Sequence, residues 1–185
     1  MRYVFCLVAM VMSALVLQCA ILPGMVPPSL QPDVGMLLAI TMLAFAQREF
    51  GLIGVFVMGM QADLFGSSRF GLLTLCYMLA AGVMLCAAWR ELTRGDLVAA
   101  WFGGVIGTAI AHGMYMLLAG LLGDAASLPS MNQIMWLVLA AAVWGLPLVW
   151  ISGQWLQITG TLERNVSEKW SREARMSAAR RGKFA

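Results

Sequence analysis

The chain reads as an all-α polytopic membrane protein, a bundle of six transmembrane helices with both termini cytoplasmic. Three observations predict this. Six apolar runs are separated by short polar joints. Hydrophobic residues make up 61% and charged residues 11% of the sequence, against roughly 45–50% apolar and about 25% charged in soluble domains. Eleven of the twelve Lys and Arg residues fall on alternate joints, the bias that keeps basic loops cytoplasmic.

The runs lie at about 3–22, 34–46, 50–65, 70–89, 97–122 and 131–151. Crossing about 30 Å of hydrocarbon takes roughly 20 helical residues. The second and third runs are short, so they either cross a locally thin region or extend into 32–34 and 66–68. Joints this short leave no room for an extramembrane domain. Residues 1–159 are therefore read as the bundle and 160–185 as a basic cytoplasmic tail. Arg2, Arg48, Arg90 and Arg94 lie on the inner side, and Arg69 is the one basic residue outside.

The first run begins like a signal peptide, but no A-x-A site follows Leu22, and removing the run would put the basic joints on the wrong side. Gln18 stands where a lipoprotein cleavage site needs a small residue, which argues against acylation of Cys19. Cys6, Cys19, Cys76 and Cys86 all lie inside apolar runs without metal-ligand spacing, and with Met58, Met60, Met78 and Met84 they read as packing residues. The sequence calls for no metal and no cofactor.

Before the second run, Pro32 and Asp33 form a helix-start signal, since proline costs nothing there and an acid suits the positive end of the helix dipole. The other use of this segment is an external contact site. In the third run, Gly51, Val55, Gly59 and Asp63 recur every four residues, a small-residue stripe that lets helices approach closely. Asp63 follows Glu49 by a helix rise of about 21 Å and falls in the outer part of the membrane. An acid there costs about 2.5–3.5 kcal/mol at a helix centre and calls for a partner or a role. Alternatively it starts the turn at 65–68 and accepts backbone hydrogen bonds.

The fifth run carries two adjacent small stripes, Gly103, Gly107 and Ala111 beside Gly104, Thr108 and His112. His112 is the only histidine. Its depth, about 24 Å of rise beyond Asp96, matches that of Asp63. A buried pair between Asp63 and His112 is therefore expected, with a backbone carbonyl as the other way to satisfy the ring. In the tail, Leu162, Val166, Trp170 and Ala174 recur at helical spacing. A short amphipathic helix there would lie on the inner leaflet, with Arg180, Arg181 and Lys183 adding about 1 kcal/mol each; the plainer use is a solvated, topology-setting tail.

Catalytic signatures are missing. One histidine cannot supply His-Glu-x-x-His, Gly66-Ser67-Ser68-Arg69 fails the intramembrane serine-protease pattern, and no phosphate or dinucleotide loop is present. No internal repeat is evident, which weighs against transporters built from duplicated halves.

The segment 31–33 followed by 54–71 resembles the signature of the MreD family of bacterial rod shape-determining membrane proteins. Gly59, Asp63, Gly66, Ser67 and Gly71 match its glycine, acid, turn and glycine pattern; Tyr77 and Ala81 fit the positions that follow, and Pro147 fits the last span. The resemblance implies a non-enzymatic protein of the bacterial inner membrane, without cofactor or nucleic acid, that binds MreC within the elongation machinery for cell shape and peptidoglycan synthesis. It implies MreB, RodA, a class B penicillin-binding protein and membrane lipids as further partners. It also implies a fold like the substrate-binding component of vitamin transporters, so the alternative function is small-molecule binding for transport. For that alternative Asp63, His112, Thr108 and Tyr115 are the polar candidates. The tail after Gly160 departs from the family, whose members often stop soon after the sixth span.

Overall fold

The computed structural model describes residues 2–27, 31–65, 69–85, 96–123 and 129–159. Gly66, Ser67, Cys86, Asp124 and the tail residues Trp170, Arg180, Arg181 and Lys183 lie outside them. The described residues are helical, with no strand among them. Helix α1 (Arg2–Leu15) continues through a π-helical stretch (Val16–Ile21) into a closing turn, α2 (Leu22–Met25). Pro23 falls at the start of that turn, where its missing N–H interrupts the regular ladder. There follow α3 (Val34–Phe45), α4 (Arg48–Phe65), α5 (Leu72–Leu85), α6 (Leu97–Leu121) and α7 (Met131–Ile158).

Three segments, Tyr3–Met25, Leu97–Leu121 and Met131–Ile158, are long and apolar enough to cross a membrane. No other helix among the described residues is. At 12 and 14 residues, α3 and α5 rise about 18 and 21 Å. Helix α3 does not extend into its proline segment; it starts at Val34, where Asp33 caps it. The last helix runs seven residues past the expected boundary at 151.

Helix α3 is the axis of the bundle. All twelve of its residues are buried, and α4, α5, α6, α7 and α1 all pack on it. An apolar run without a polar stripe is what such a position requires. Helices α6 and α7 turn mostly small residues inward and many large ones outward. On α6, Ala100, Gly103, Gly104, Gly107 and Ala111 are buried while Phe102, Ile106 and Leu117 are exposed. On α7, Gly145, Ser152 and Gly153 are buried while Val143, Trp150 and Ile151 face outward. A large apolar exterior around a small-residue interior suits hydrocarbon rather than water.

The close approaches are specific. A methyl group on Gly51 would lie 2.9 Å from the Cα of Leu43, and one on Gly104 would lie 2.8 Å from the Leu37 side chain. Helix ends are capped locally. Ser130 and Gln133 form a reciprocal capping box at the start of α7, Asp96 accepts from the Val98 N–H at the start of α6, and Gly123, at φ +71°, closes the far end of α6 in the left-handed conformation favoured there. Within α7, Pro147 has no N–H to give, and one turn earlier the Trp101 indole donates to the Ala142 carbonyl at 2.9 Å. Trp101→Phe should therefore lower stability by about 0.6–1.7 kcal/mol, the range of interhelical hydrogen bonds in membrane proteins. Thermal unfolding in detergent reads this, and an unchanged midpoint would show that the bond contributes nothing.

Candidate functional site: a buried polar joint and its cavity

Four of the seven buried polar residues among those described, Asp33, Gln61, Asp63 and Thr74, lie where α3 and α5 begin and α4 ends. Asp33, buried and seated at the start of α3, accepts three hydrogen bonds. Its Oδ1 takes the Met36 N–H at 3.0 Å, and its Oδ2 takes the Tyr77 hydroxyl at 2.5 Å and meets His112 Nε2 at 3.0 Å. The first bond satisfies one of the four free N–H groups of the helix start. The other two tie α5 and α6 to that same point, so one carboxylate joins three helices.

Asp63 does parallel work one helix away. Near the end of α4, it accepts from the Leu73 and Thr74 N–H groups, both at 2.9 Å, and from the Thr74 hydroxyl. These N–H groups belong to the first turn of α5, so Asp63 caps a helix other than its own and brings a negative charge to its positive end. Between the two helices the chain turns at Gly71, whose φ of +90° is a conformation that residues with a Cβ rarely adopt. A methyl on Gly59 would lie 2.7 Å from the Cα of Thr74, so the absence of a side chain at residue 59 brings α5 within reach of Asp63. Thr74→Val should remove one donor and cost about 1 kcal/mol. Unfolding in detergent measures the loss, and a Thr74→Ser variant that keeps the hydroxyl should recover most of it.

The pairing expected between Asp63 and His112 is not the one the structure makes. His112 bonds to Asp33, and Asp63 bonds to the start of α5. Their depths agree, but the carboxylate beside the imidazole comes from the central helix. Thr108 donates to the Gly104 carbonyl of its own helix at 2.8 Å, and Tyr115 packs in an apolar cluster with Leu72, Cys76 and Ala119.

A cavity of about 410 Å³ opens beside the joint. The π-helical stretch of the first segment, the 31–33 segment, the last turns of α4, the first turns of α5 and single residues of α6 and α7 surround it. Of the polar candidates for a pocket, His112 lines it, whereas Asp63, Thr108 and Tyr115 do not. Sequence reading missed Gln61, Gln18 and Gln31, which do, and Thr74. It also offered Tyr77 only as an aromatic position of the resemblance, although a tyrosine within an apolar run needs a partner for its hydroxyl. That need was the available signal. Compared with known proteins, the chain matches no family model, no curated protein and no solved structure.

Proposed function

We propose that the chain is a non-catalytic membrane scaffold of the bacterial cell-wall elongation machinery, a protein of the MreD family that maintains rod shape. On this reading it binds MreC and helps couple MreB filaments to RodA and a class B penicillin-binding protein. One observation carries the reading. Among the described residues of the resembling motif, Asp33 bonds to Tyr77, Gly59 and Asp63 both meet Thr74, and Gly71 makes the turn before α5, so the contacts converge on that helix. A motif used in this way builds the platform that a partner docks on.

Six helices then cross the inner membrane with both termini cytoplasmic. Two contacts support that topology. The Thr159 hydroxyl at the end of α7 lies 3.6 Å from Cys6 Sγ near the start of α1, and the rings of Tyr3 and Phe50 meet at 5.2 Å, tilted by 58°. Both ends of the bundle and the start of α4 thus share one end, the end to which the basic residues are assigned. Helix α3, too short to span the hydrocarbon alone, meets protein on every side and needs no full span of lipid contact. A second reading, the substrate-binding component of a small-molecule transporter, draws on the cavity beside Asp33.

Depletion of the chain from its host cell separates the two. The scaffold reading expects cells to lose rod shape and to stop inserting wall material along their sides. Unchanged shape with lost uptake of a vitamin-type nutrient would contradict it.

A further inference from the structure

The cavity beside the joint is lined by a residue, Gln61, whose amide oxygen the bundle leaves unused. Gln61 is 8% exposed, and its Oε1 is enclosed without a hydrogen-bond partner among the described residues. Buried polar atoms are nearly always paired, and an exception points to a missing partner. Gln61 comes from the last turns of α4 and lines the cavity together with Asp33, Gln18 and Gln31. Gln31 uses its Nε2 on the Val26 carbonyl at 3.2 Å, which leaves its oxygen as an acceptor. Among the described residues Asp33 Oδ1 accepts the Met36 N–H alone, and a carboxylate oxygen has room for a second donor.

This wall is rich in acceptors and contains the Asp33 carboxylate. None of its described lining residues is Lys or Arg, and the one histidine, His112, is already engaged by Asp33 Oδ2, so an anionic group would meet a carboxylate with no free basic side chain beside it. A metal ion is poorly matched too, because no group of three His, Cys, Asp or Glu side chains comes together among the described residues. An organic group that combines several N–H donors with positive charge fits best. The volume falls within the range of small-ligand sites, and apolar Leu15, Phe65 and Leu137 complete the wall where a ligand's carbon atoms would rest.

We infer that this cavity binds a primary ammonium group, with the Gln61 amide oxygen and the Asp33 carboxylate as its acceptors. The group comes either from the headgroup of an aminophospholipid or from a free small amine. This inference does not rest on the MreC reading, since a pocket of this chemistry functions with or without that partner.

The test uses the full chain, stripped of lipid in detergent, with three probes: phosphatidylethanolamine, phosphatidylcholine and soluble ethanolamine. Phosphatidylcholine carries a positive charge but no N–H donor, so it separates donor recognition from charge alone. Gln61→Leu is the informative variant, because it deletes an unpaired buried polar atom and should leave the unliganded protein at least as stable as the wild type. The expected result is a higher unfolding temperature with a primary amine, no rise with phosphatidylcholine, and binding weakened by at least about tenfold in Gln61→Leu. A rise with phosphatidylethanolamine, together with its retention in native mass spectrometry, identifies a lipid as the source; a rise with ethanolamine alone identifies a free amine. An equal response to phosphatidylcholine, no response to either amine, or wild-type binding by Gln61→Leu would overturn the inference.

Discussion

Asp33→Ala should cost about 2–4 kcal/mol, the largest loss expected from any polar substitution in the described bundle. The carboxylate caps the central helix and holds Tyr77 and His112 at the same point. Its removal leaves a buried hydroxyl, an imidazole N–H and a helix-start N–H without their acceptor. Unfolding in detergent measures the loss. A double-mutant cycle with His112→Ala adds a sharper requirement, because residues that share one network do not contribute additively. The two substitutions together should cost clearly less than the sum of the singles, whereas the cycle of Asp63→Ala with His112→Ala should be close to additive. Coupling in the second cycle and none in the first would restore the pairing that the sequence led one to expect.

The second large effect concerns the contact between α4 and α5. Gly59→Val should destabilise by about 1–3 kcal/mol or more, because even its Cβ would sit 2.7 Å from the Cα of Thr74. The obstacle is backbone, which cannot swing aside as a side chain can. The displaced helix would also draw the Leu73 and Thr74 N–H groups away from Asp63, so the packing and the remote cap fail together. Gly113→Ala on α6 is the matched control. A methyl there meets nothing within 4 Å, and alanine is the better helix former by up to about 1 kcal/mol. Equal tolerance at both sites would contradict the close packing described for residue 59.

Much of the element map was legible because hydropathy and turn residues report it directly. Pro32 and Asp33 marked a helix start, and the structure begins α3 at Val34 with Asp33 as its cap rather than within its first turn. The small residues of the third and fifth runs lie against neighbouring helices: Gly51 against Leu43, and Gly107 against Ile40 and Met36. Partner identity was not legible. Matching depths rank Asp63 and His112 along the bundle axis but say nothing of which helices are neighbours. That choice is made by α3, which sits between α4 and α6 and presents Asp33 to His112. Nor does any local signal reveal that Asp63 caps a helix other than its own, because the cap depends on the turn at Gly71 and the approach at Gly59. The unused oxygen of Gln61 became visible only with the cavity around it, since a glutamine in an apolar run is equally consistent with a satisfied side chain.

The central claim, a scaffold rather than a transport component, is tested most directly by recovery of the tagged chain from its native membranes in mild detergent, with mass spectrometry of what accompanies it. The account predicts MreC together with cell-wall synthases. Recovery of an ATPase and its membrane coupling subunit, without MreC, would contradict it.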